Sequence, residues 1–475
     1  MKVILSLLLL AAPLLARPNV VLLLIDDLGR QDIGVHGSTF HDTPNIDRLG
    51  KEGLVFENAY CAHPRCVPSR YGIFSGRLPA RDGVPGFEGR KHTLAPERVT
   101  FAEVMRDAGY VTGYIGKWHL GKEGGGPDTQ GFSDSRIAGA AGGPNSYFYP
   151  FHLTPDGKHK ENEVFPVVDG KEGEYLNDRL TDEAVDFLKE NRERPFLLVL
   201  AHYAVHTPFQ APEGMVDQAR KRLNGDPEGG KWKDPDFKDS DGATDKTVQN
   251  NPVYAAMVKS MDDSVGRVLD TLEELELSGN TLVLMTSDHG GLSTRGGSSG
   301  RPLATTNLPY RHGKGWLYDG GLRVPMIVKW PGVVKPGTTK AATLGTDHYA
   351  TVLEAVGLKA DPGEAVDSVS YLPLLKGESM ERGPMFFHSP RGRPQSTGDR
   401  NASAVIDGRW KLFQNHGSGQ LELYDLAADP GEAKDLSETY PERAAEMRKL
   451  LNDLKQQTGA KEGGRNPFDS DSKSK

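Results

Sequence analysis

Polar side chains able to do acid–base or metal chemistry follow four apolar segments of this sequence, each directly after the apolar run ends. Neighbouring carboxylates such as Asp26 and Asp27 repel each other unless a cation lies between them. A hard divalent cation with oxygen ligands would relieve that repulsion, and Asp288 offers a third carboxylate after another segment. The four segments are 19–25 before Asp26 and Asp27, 110–115 before Lys117 and His119, 196–200 before His202 and His206, and 281–285 before Asp288 and His289.

These apolar segments have the length and continuity of strands that are buried on both faces of a parallel sheet. Between them, 100–108, 180–188 and 254–277 carry apolar residues at helical spacing. Met257 and Met261 fall on the apolar stripe of the last segment, which indicates core residues. Alternating strands and helices predict a doubly wound α/β fold, in which ligands bind beyond the carboxyl ends of the strands. We therefore expect the polar endings to meet at one edge of the sheet.

The sequence pattern changes after about Gly377. Short apolar segments on either side of 407–409 predict a β-hairpin, and 442–455 has the spacing of an amphipathic helix. These elements predict a small α+β subdomain. The predicted organisation is a signal peptide over 1–16, a catalytic domain over 17–377, a C-terminal subdomain over 378–460 and a flexible polar tail over 461–475.

The first sixteen residues have the features of a secretory signal peptide. Lys2 gives a positive start, 3–15 is almost wholly apolar, and Ala16 is small enough for cleavage. We therefore expect a secreted or periplasmic protein. No later segment is long and apolar enough to span a bilayer, and no lipid-anchoring cysteine follows the cleavage site, so no membrane anchor is expected.

Charge and cysteine content narrow the function classes further. The formal net charge is −8 and no basic face is evident, which argues against a nucleic-acid partner. An acidic protein still binds an anion where cations converge locally. The only cysteines are Cys61 and Cys66, too few for a disulfide scaffold in a secreted chain of this size. One of them is therefore a candidate for chemistry.

The segment that begins at Cys66 carries the strongest signal. Cys66-Val67-Pro68-Ser69-Arg70, followed by 71–76, resembles the signature of the type I, formylglycine-dependent sulfatases, Cys-x-Pro-Ser-Arg and then a Leu-x-Thr-Gly-like element. Ile73 and Ser75 stand where that family has Leu and Thr. The alternative is a buried structural cysteine before a helix.

The rest of the chain resembles the same family in the same order, and the likeness is to its arylsulfatase and N-acetylgalactosamine-sulfatase members. This breadth favours the family over the structural alternative. The further matching segments are 26–29, 43–47, 53–56, 116–121, 287–290, 313–325, 424–426 and 429–430.

The resemblance implies an alkaline-phosphatase-like fold, a doubly wound mixed sheet with a small C-terminal subdomain. It also implies a calcium ion and a cysteine oxidised to formylglycine by a maturation enzyme. Nitrogen is an unusual ligand for calcium, so His289 is the least expected of the ligands. The implied metal ligands are Asp26, Asp27, Asp288, His289 and the modified Cys66.

The catalytic roles implied by the resemblance agree with the chemistry of each side chain. Arg70 would support the formylglycine hydrate, while Lys117 and Lys314 would meet the sulfate oxygens. His206 would protonate the leaving sugar oxygen. His119 would take a proton from the second hydroxyl of the hydrate as sulfate is expelled.

The predicted function is hydrolysis of sulfate esters through a covalent sulfated intermediate, in the degradation of a sulfated polysaccharide or oligosaccharide. One alternative is a phosphate or phosphonate monoester hydrolase of the same superfamily. Another is a non-catalytic binder of sulfated glycans, against which the complete set of candidate catalytic residues argues.

Some features have two interpretations in sequence alone. The aromatic residues of 139–151 suit sugar stacking or ordinary packing, and His312 suits a pocket wall or a plain loop. Cys61 is expected to be a bystander, and Asn401 begins a glycosylation sequon. The charged segment 217–245 indicates an exposed insertion, and the Ser/Gly/Thr-rich segment 293–306 indicates a loop that borders the site.

Overall fold

The computed structural model describes residues 17–84, 94–121, 125–154, 156–158, 165–223, 237–361 and 363–462. The predicted signal peptide over 1–16 and most of the predicted tail lie outside the described residues. No described helix is long and apolar enough to cross a membrane.

Fifteen strands are described, in three sheets. In chain order they are β1 (Asn19–Ile25), β2 (Leu54–Tyr60), β3 (Val111–Gly116), β4 (Asp134–Arg136), β5 (Phe196–His202), β6 (Phe237–Ser240), β7 (Ala243–Lys246), β8 (Thr281–Ser287), β9 (Thr294–Gly296), β10 (Met326–Lys329), β11 (Gly337–Leu344), β12 (Met385–Ser389), β13 (Ala402–Asp407), β14 (Trp410–Asn415) and β15 (Leu421–Asp425).

The α-helices fall between these strands and after them. In chain order they are α1 (Pro44–Glu52), α2 (Cys66–Ser75), α3 (Phe101–Asp107), α4 (Leu176–Asn191), α5 (Glu213–Arg220), α6 (Pro252–Glu274), α7 (Asp319–Leu322), α8 (Asp347–Ala355), α9 (Leu372–Leu375) and α10 (Pro441–Thr458).

The main sheet has eight strands in the order β11-β2-β10-β8-β1-β5-β3-β4. All neighbours are parallel except β10, which runs antiparallel to β2 and β8. The four apolar segments of the sequence form its adjacent centre, β8-β1-β5-β3, so their carboxyl ends lie side by side. This confirms the predicted doubly wound mixed sheet.

Helices cover both faces of the main sheet, which explains why its central strands are apolar throughout. Alternate residues of β1 enter different cores: Val21, Leu23 and Ile25 pack with α1, α4 and α6, whereas the residues between them pack with α2, α3 and α8. Met257 and Met261 are fully buried in the first core. Helix α6 ends at Glu274, before the predicted end, because the chain turns at Glu276 with φ 57°.

The small C-terminal sheet contains β12 to β15 in sequence order, all antiparallel, with α10 packed against β13 and β14. The predicted hairpin at 407–409 joins β13 to β14, and Gly408 supplies the positive φ that this turn needs. The predicted boundary at 377/378 falls between α9 and β12.

A buried ionic network joins this sheet to the main domain. Lys411 of β14 contacts Asp319 of α7 at 2.8 Å and Glu432 at 2.7 Å. Arg323 also pairs with Asp319, and the backbone N–H of Asp319 donates to Glu432. Each charge has an opposite partner, as buried charges require.

The charged segment 217–245, expected as an exposed insertion, ends in a hairpin whose described residues are mostly exposed or half-buried. Strands β6 and β7 form a hairpin, and β7 pairs with β9 from the segment after β8. Ala243 and Lys246 are buried there. The high charge of the segment concealed this, because its charged residues mostly face away from the buried side of the hairpin.

Candidate active site

The candidate site begins where β1 and β8 end side by side. Ile25 pairs with Ser287 in the parallel register, so Asp26 and Asp288 follow neighbouring positions at the same edge. Both are fully buried, and the backbone N–H of Asp27 donates to Oδ1 of Asp288 at 3.3 Å. Asp27 has φ 62°, in the left-handed region that aspartate tolerates better than most residues. This turn directs two adjacent carboxylates into one site.

Cys66 is the first residue of α2 and is only 6% exposed. Its Sγ lies 3.1 Å from Nε2 of His289, and Ser69 in the same helix donates to the carbonyl of Asp288. Burial alone would raise the pKa of the Cys66 thiol. The charges of Lys117, Lys314 and His289 outweigh burial and hold that pKa well below its usual value. The position therefore favours an anionic group.

Arg70 lies one turn after Cys66 in α2 and is fully buried. Its Nε donates to Oδ2 of Asp288 at 2.9 Å, and one terminal nitrogen donates to the carbonyl of Lys117 at 2.7 Å. Burial acts to raise the pKa of Asp288, but His289 and Arg70 outweigh it, so that pKa is lowered. Arg70 thus keeps one carboxylate of the site ionised.

Two lysines pair with the remaining carboxylates. Nζ of Lys117 lies 2.5 Å from Oδ2 of Asp26, and Nζ of Lys314 lies 2.5 Å from Oδ1 of Asp27. Burial raises the pKa of Asp26 well above its usual value against the charge of Lys117. Burial also acts to raise the pKa of Asp27, but Lys314 lowers it overall. All four side chains are nearly or fully buried.

The same residues form a cluster of the kind that holds a metal ion. Ligand atoms of Asp26, Cys66, Asp288 and His289 all lie within 4.8 Å of one another, and Asp27 joins an overlapping group. Two buried oxygens, Oδ1 of Asp26 and Oδ2 of Asp27, have no hydrogen-bond partner among the described residues. Unpaired buried carboxylate oxygens fit a hard divalent cation. The residues present therefore suit a metal ion.

The two candidate catalytic histidines lie beside this cluster. Nε2 of His206 is 3.9 Å from Oδ2 of Asp27, and its Nδ1 lies 2.8 Å from the carbonyl of Thr207. That carbonyl requires a proton on Nδ1, so Nε2 is the nitrogen available to a substrate. Burial first and then Lys314 lower the pKa of His206 to about 3, and burial also lowers the pKa of His119. His119 lies close enough to Cys66 for each side chain to affect the pKa of the other.

A glycine pair that the sequence reasoning did not single out lies against both histidines. A Cβ on Gly142 would lie 2.7 Å from Cε1 of His119, and one on Gly143 would lie 2.9 Å from Nδ1 of His206. Tyr147 then donates to the carbonyl of His206 at 2.9 Å. The Gly-Gly dipeptide within an aromatic segment was the available signal.

Two other histidines considered in the sequence analysis, His202 and His312, lie outside the cluster around Cys66. His202 is buried against α6, where its Nε2 contacts Oγ of Ser264 at 2.9 Å. His312 hydrogen-bonds Asp241 and Asp245 through its two ring nitrogens, stacks on Trp316, and lines a cavity of about 450 Å³. None of the ten predicted site residues lines that cavity.

The structure also shows where the aromatic segment, Cys61 and the Asn401 sequon lie. Tyr147 and Phe151 of the aromatic segment are fully buried, so these two rings serve the core. Cys61 is buried, with Sγ 3.5 Å from the carbonyl of Gly321. Asn401 is 5% exposed and its Oδ1 accepts from the N–H of Gly392, so the folded chain does not display this sequon.

Fold and site together are those of a hydrolase of sulfuric esters, in which cations and carboxylates converge on a buried cysteine at the carboxyl edge of a mixed sheet. The model of the sulfatase family matches residues 18–358, and the chain belongs to that family. The C-terminal model of N-sulphoglucosamine sulphohydrolase matches 311–459.

Named relatives cover most of the chain. N-acetylgalactosamine-6-sulfatase of Homo sapiens is 32% identical in an alignment of 405 residues that covers 78% of this chain and 68% of that protein. N-acetylgalactosamine-6-O-sulfatase of Bacteroides thetaiotaomicron is 27% identical over 92% of this chain and 93% of its own length. The crystal structure of Ps i-CgsB in complex with k-i-k-neocarrahexaose is similar with a TM-score of 0.76, 27% identity and 95% coverage of both chains.

Proposed function

We propose that this sulfatase removes sulfate from a sulfated polysaccharide or oligosaccharide, with formylglycine made from Cys66 as the nucleophile and calcium as the metal. The observation that carries the proposal is the position of the buried Cys66, 3.1 Å from His289 and clustered with the two carboxylates that pair with Lys117 and Lys314. The relatives named above, which are N-acetylgalactosamine sulfatases and a structure with a bound neocarrahexaose, support a sugar substrate.

Oxidation of Cys66 would supply a hydrated aldehyde, a far better oxygen nucleophile for this site than a hydroxyl without an activating neighbour. Arg70 holds Asp288 ionised and keeps the start of α2 fixed against the sheet edge. The positive surroundings that lower the pKa of the thiol would equally favour an anionic oxygen at the same position.

Calcium would be held by Asp26, Asp27, Asp288, His289 and an oxygen at position 66, and when bound it supplies positive charge against the sulfate oxygens. The permanent cations of the site, on Lys117, Lys314 and Arg70, match the three carboxylates in number. A divalent ion therefore makes the site net positive, which suits an anionic substrate.

The two histidines divide the proton transfers. Nδ1 of His206 donates its proton to the carbonyl of Thr207, so the ring must also be protonated at Nε2 to act as the acid, and that second proton passes to the leaving sugar oxygen. The negative charge of a bound sulfate ester opposes the effect of burial and Lys314 on the pKa of His206. His119, close to position 66, takes the proton from the second hydroxyl of the hydrate as sulfate is released.

We further propose that the chain acts outside the cytoplasm, secreted or periplasmic, after removal of residues 1–16. The support is the basic, apolar and small-residue pattern of that segment. A formylglycine-generating enzyme is then the expected partner during maturation. N-terminal sequencing of protein recovered from the medium or periplasm tests the cleavage, and an intact Met1 would oppose it.

Peptide mass spectrometry at position 66 tests the mechanism. Protein from a host that makes formylglycine should carry the aldehyde, hydrolyse aryl sulfate faster than aryl phosphate, and release sulfate from members of a panel of sulfated oligosaccharides. Cys66→Ala should abolish turnover while the circular dichroism spectrum stays unchanged. Fully active protein with only unmodified cysteine would rule out the proposed nucleophile.

A further inference from the structure

The connection between β12 and β13 reaches from the small C-terminal sheet to the candidate active site. We call residues 390–401 the recognition loop. Arg65, which directly precedes Cys66, donates to the carbonyl of Arg391 at 2.8 Å and pairs with the carboxylate of Asp399. The loop is therefore attached to the residue before the proposed nucleophile.

A second attachment ties the recognition loop to the segment that follows Lys314. Nε1 of Trp316 donates to the carbonyl of Thr397 at 2.8 Å. Gly315, between Lys314 and Trp316, donates to the carbonyl of Pro64 and packs closely against Asp399. The recognition loop thus contacts the segment before Cys66 and the segment after Lys314.

The turn that presents Arg393 is fixed by backbone hydrogen bonds. The carbonyl of Arg393 accepts from the N–H groups of Ser396, Thr397 and Gly398 at 2.9 to 3.1 Å. Its own N–H donates at 3.3 Å to the Asp399 carboxylate, the same group that holds Arg65. One carboxylate therefore holds both the side chain of Arg65 and the backbone of Arg393.

Positive charge accumulates around this turn. Arg65, Arg301 and Arg393 act on one another, and Asp399 is the carboxylate that opposes them most directly. Burial first and then Arg65 lower the pKa of Arg393 to about 10, while Asp399 and Cys66 act in the opposite sense. The backbone N–H of Arg393 and the guanidinium of Arg65 share the Asp399 carboxylate, and Arg65 directly precedes Cys66, so Arg393 lies close to the nucleophile. An added anion would stabilise its half-buried guanidinium.

We propose that Arg393 is a specificity-determining residue that binds an anionic group of the substrate other than the sulfate ester under attack. This inference rests on the proposed sulfatase action on sugars. The chemical class is an oxyanion on the same or the adjoining sugar, either a second sulfate or a carboxylate, and both match the planar fork of an arginine.

The test compares wild type, Arg393→Ala and Arg393→Lys on matched oligosaccharides that carry one sulfate alone, a second sulfate, or one sulfate and a uronic carboxylate. For Arg393→Ala, we expect kcat/KM on a substrate with the second anion, relative to the singly charged one, to fall about ten- to hundredfold, mainly through KM. Arg393→Lys should recover part of this ratio. Arg391→Ala, a neighbouring exposed arginine, is the matched control and should keep the wild-type ratio.

The outcomes separate this inference from the proposed function. Loss on the disulfated substrate alone identifies sulfate as the group bound, and loss on the uronate alone identifies a carboxylate. Equal losses on all three substrates, or no loss on any, would overturn the role of Arg393. Failure of mature wild-type protein to hydrolyse any sulfated sugar would instead overturn the proposed function.

Discussion

Each carboxylate of the site has a permanent cation within hydrogen-bond distance: Lys117 at Asp26, Lys314 at Asp27 and Arg70 at Asp288. Sequence reasoning emphasised repulsion among three acids, because it could not show how the cations would pair. The paired arrangement leaves a neutral set of charges, and a divalent ion then contributes attraction for the substrate more than relief of repulsion.

The two histidines should respond differently to the leaving group. A sugar alkoxide needs a proton as its bond breaks, whereas nitrophenolate hardly does. We therefore expect His206→Ala to lower kcat on a sulfated sugar about a hundredfold or more and on nitrophenyl sulfate far less. His119→Ala should slow both substrates wherever sulfate release limits turnover. Steady-state kinetics of both variants on both substrates provides the measurement.

Similar losses on the two substrates for His206→Ala would show that this side chain binds sulfate or supports the segment after β5. Unchanged melting temperatures would separate either effect from unfolding. His206 contacts the carbonyl of Thr207 and Asp27, so thermal melts of the variant are a necessary control.

At the residue level, the motif from Cys66 to Arg70 and the polar strand endings named nine of the ten candidate site residues, and the family resemblance over 313–325 added Lys314. The structure brings these ten residues together. The sequence could not reveal side chains that pack against the backbone of a distant segment. Gly142 and Gly143 belong to the site through the absence of side chains, so the dipeptide marks an unusual position in the sequence without indicating which residues pack against it.

At the level of elements, the segment that carries this glycine pair holds the histidines in place. The N–H of His119 donates to the carbonyl of Gly139 at 3.0 Å, and Tyr147 anchors the carbonyl of His206. A displacement of about 1 Å in a catalytic group can lower a rate a hundredfold. Side chains added to this segment should therefore impair catalysis more than stability.

Gly142→Ala and Gly143→Ala should each lower kcat at least about tenfold, since the new Cβ would force His119 or His206 to shift. Neither glycine has a positive φ, so alanine is tolerated by the backbone. Gly214→Ala, at an open position of α5, is the control and should keep full activity. Full activity in both site variants would show that the histidines adapt freely.

Continuous apolar segments predicted the central strands well, because burial on both faces leaves a strong and simple pattern. The edge strands β4 and β11 were not foreseen. Strand β4 is three residues long, and β11 has a Thr- and Ala-rich sequence of which only the last two residues are buried, so neither shows a continuous apolar run. The hairpin of β6 and β7 was missed for a related reason, since charged residues occupy its exposed side.

At the level of the whole molecule, the buried network around Lys411 joins the small sheet to the domain that carries the site. Lys411→Met would leave Glu432 buried with its main partner removed. We expect a loss of about 3–5 kcal/mol in the free energy of unfolding, measured by urea denaturation. Lys449→Met in α10, which breaks an exposed pair with Asp453, should cost no more than about 0.5 kcal/mol.

Equal effects of these two lysine variants would contradict the structural importance of the network. A separate unfolding transition in Lys411→Met would show that the small sheet then unfolds on its own. The backbone hydrogen bond from Asp319 to Glu432 remains in the variant, so the expected loss concerns charge and not strand pairing.

Metal removal should also act on the whole molecule. A ligand that binds only the native state stabilises it in proportion to the logarithm of its concentration over Kd. Exhaustive chelation should therefore abolish activity and lower the melting temperature by a few degrees. Each kcal/mol of lost binding free energy corresponds to a shift of at most about 2–4 °C in a chain of this size. Calcium should restore both, and chelated protein with unchanged activity would exclude a catalytic metal.

The burial of Cys66 determines whether this residue can be modified before or after the chain folds. Nine of the ten residues of α2 are buried, so another enzyme cannot seat the motif in its own cleft once this helix has docked. Under the proposed mechanism, conversion of Cys66 would have to precede the docking of α2, and a chain that folds first would stay unconverted and inactive. Purified folded protein incubated with the maturation enzyme should keep its cysteine, whereas chain supplied unfolded should gain the aldehyde mass. Efficient conversion of folded protein would show that α2 undocks readily. Modification of Cys66 would then not have to precede folding or secretion.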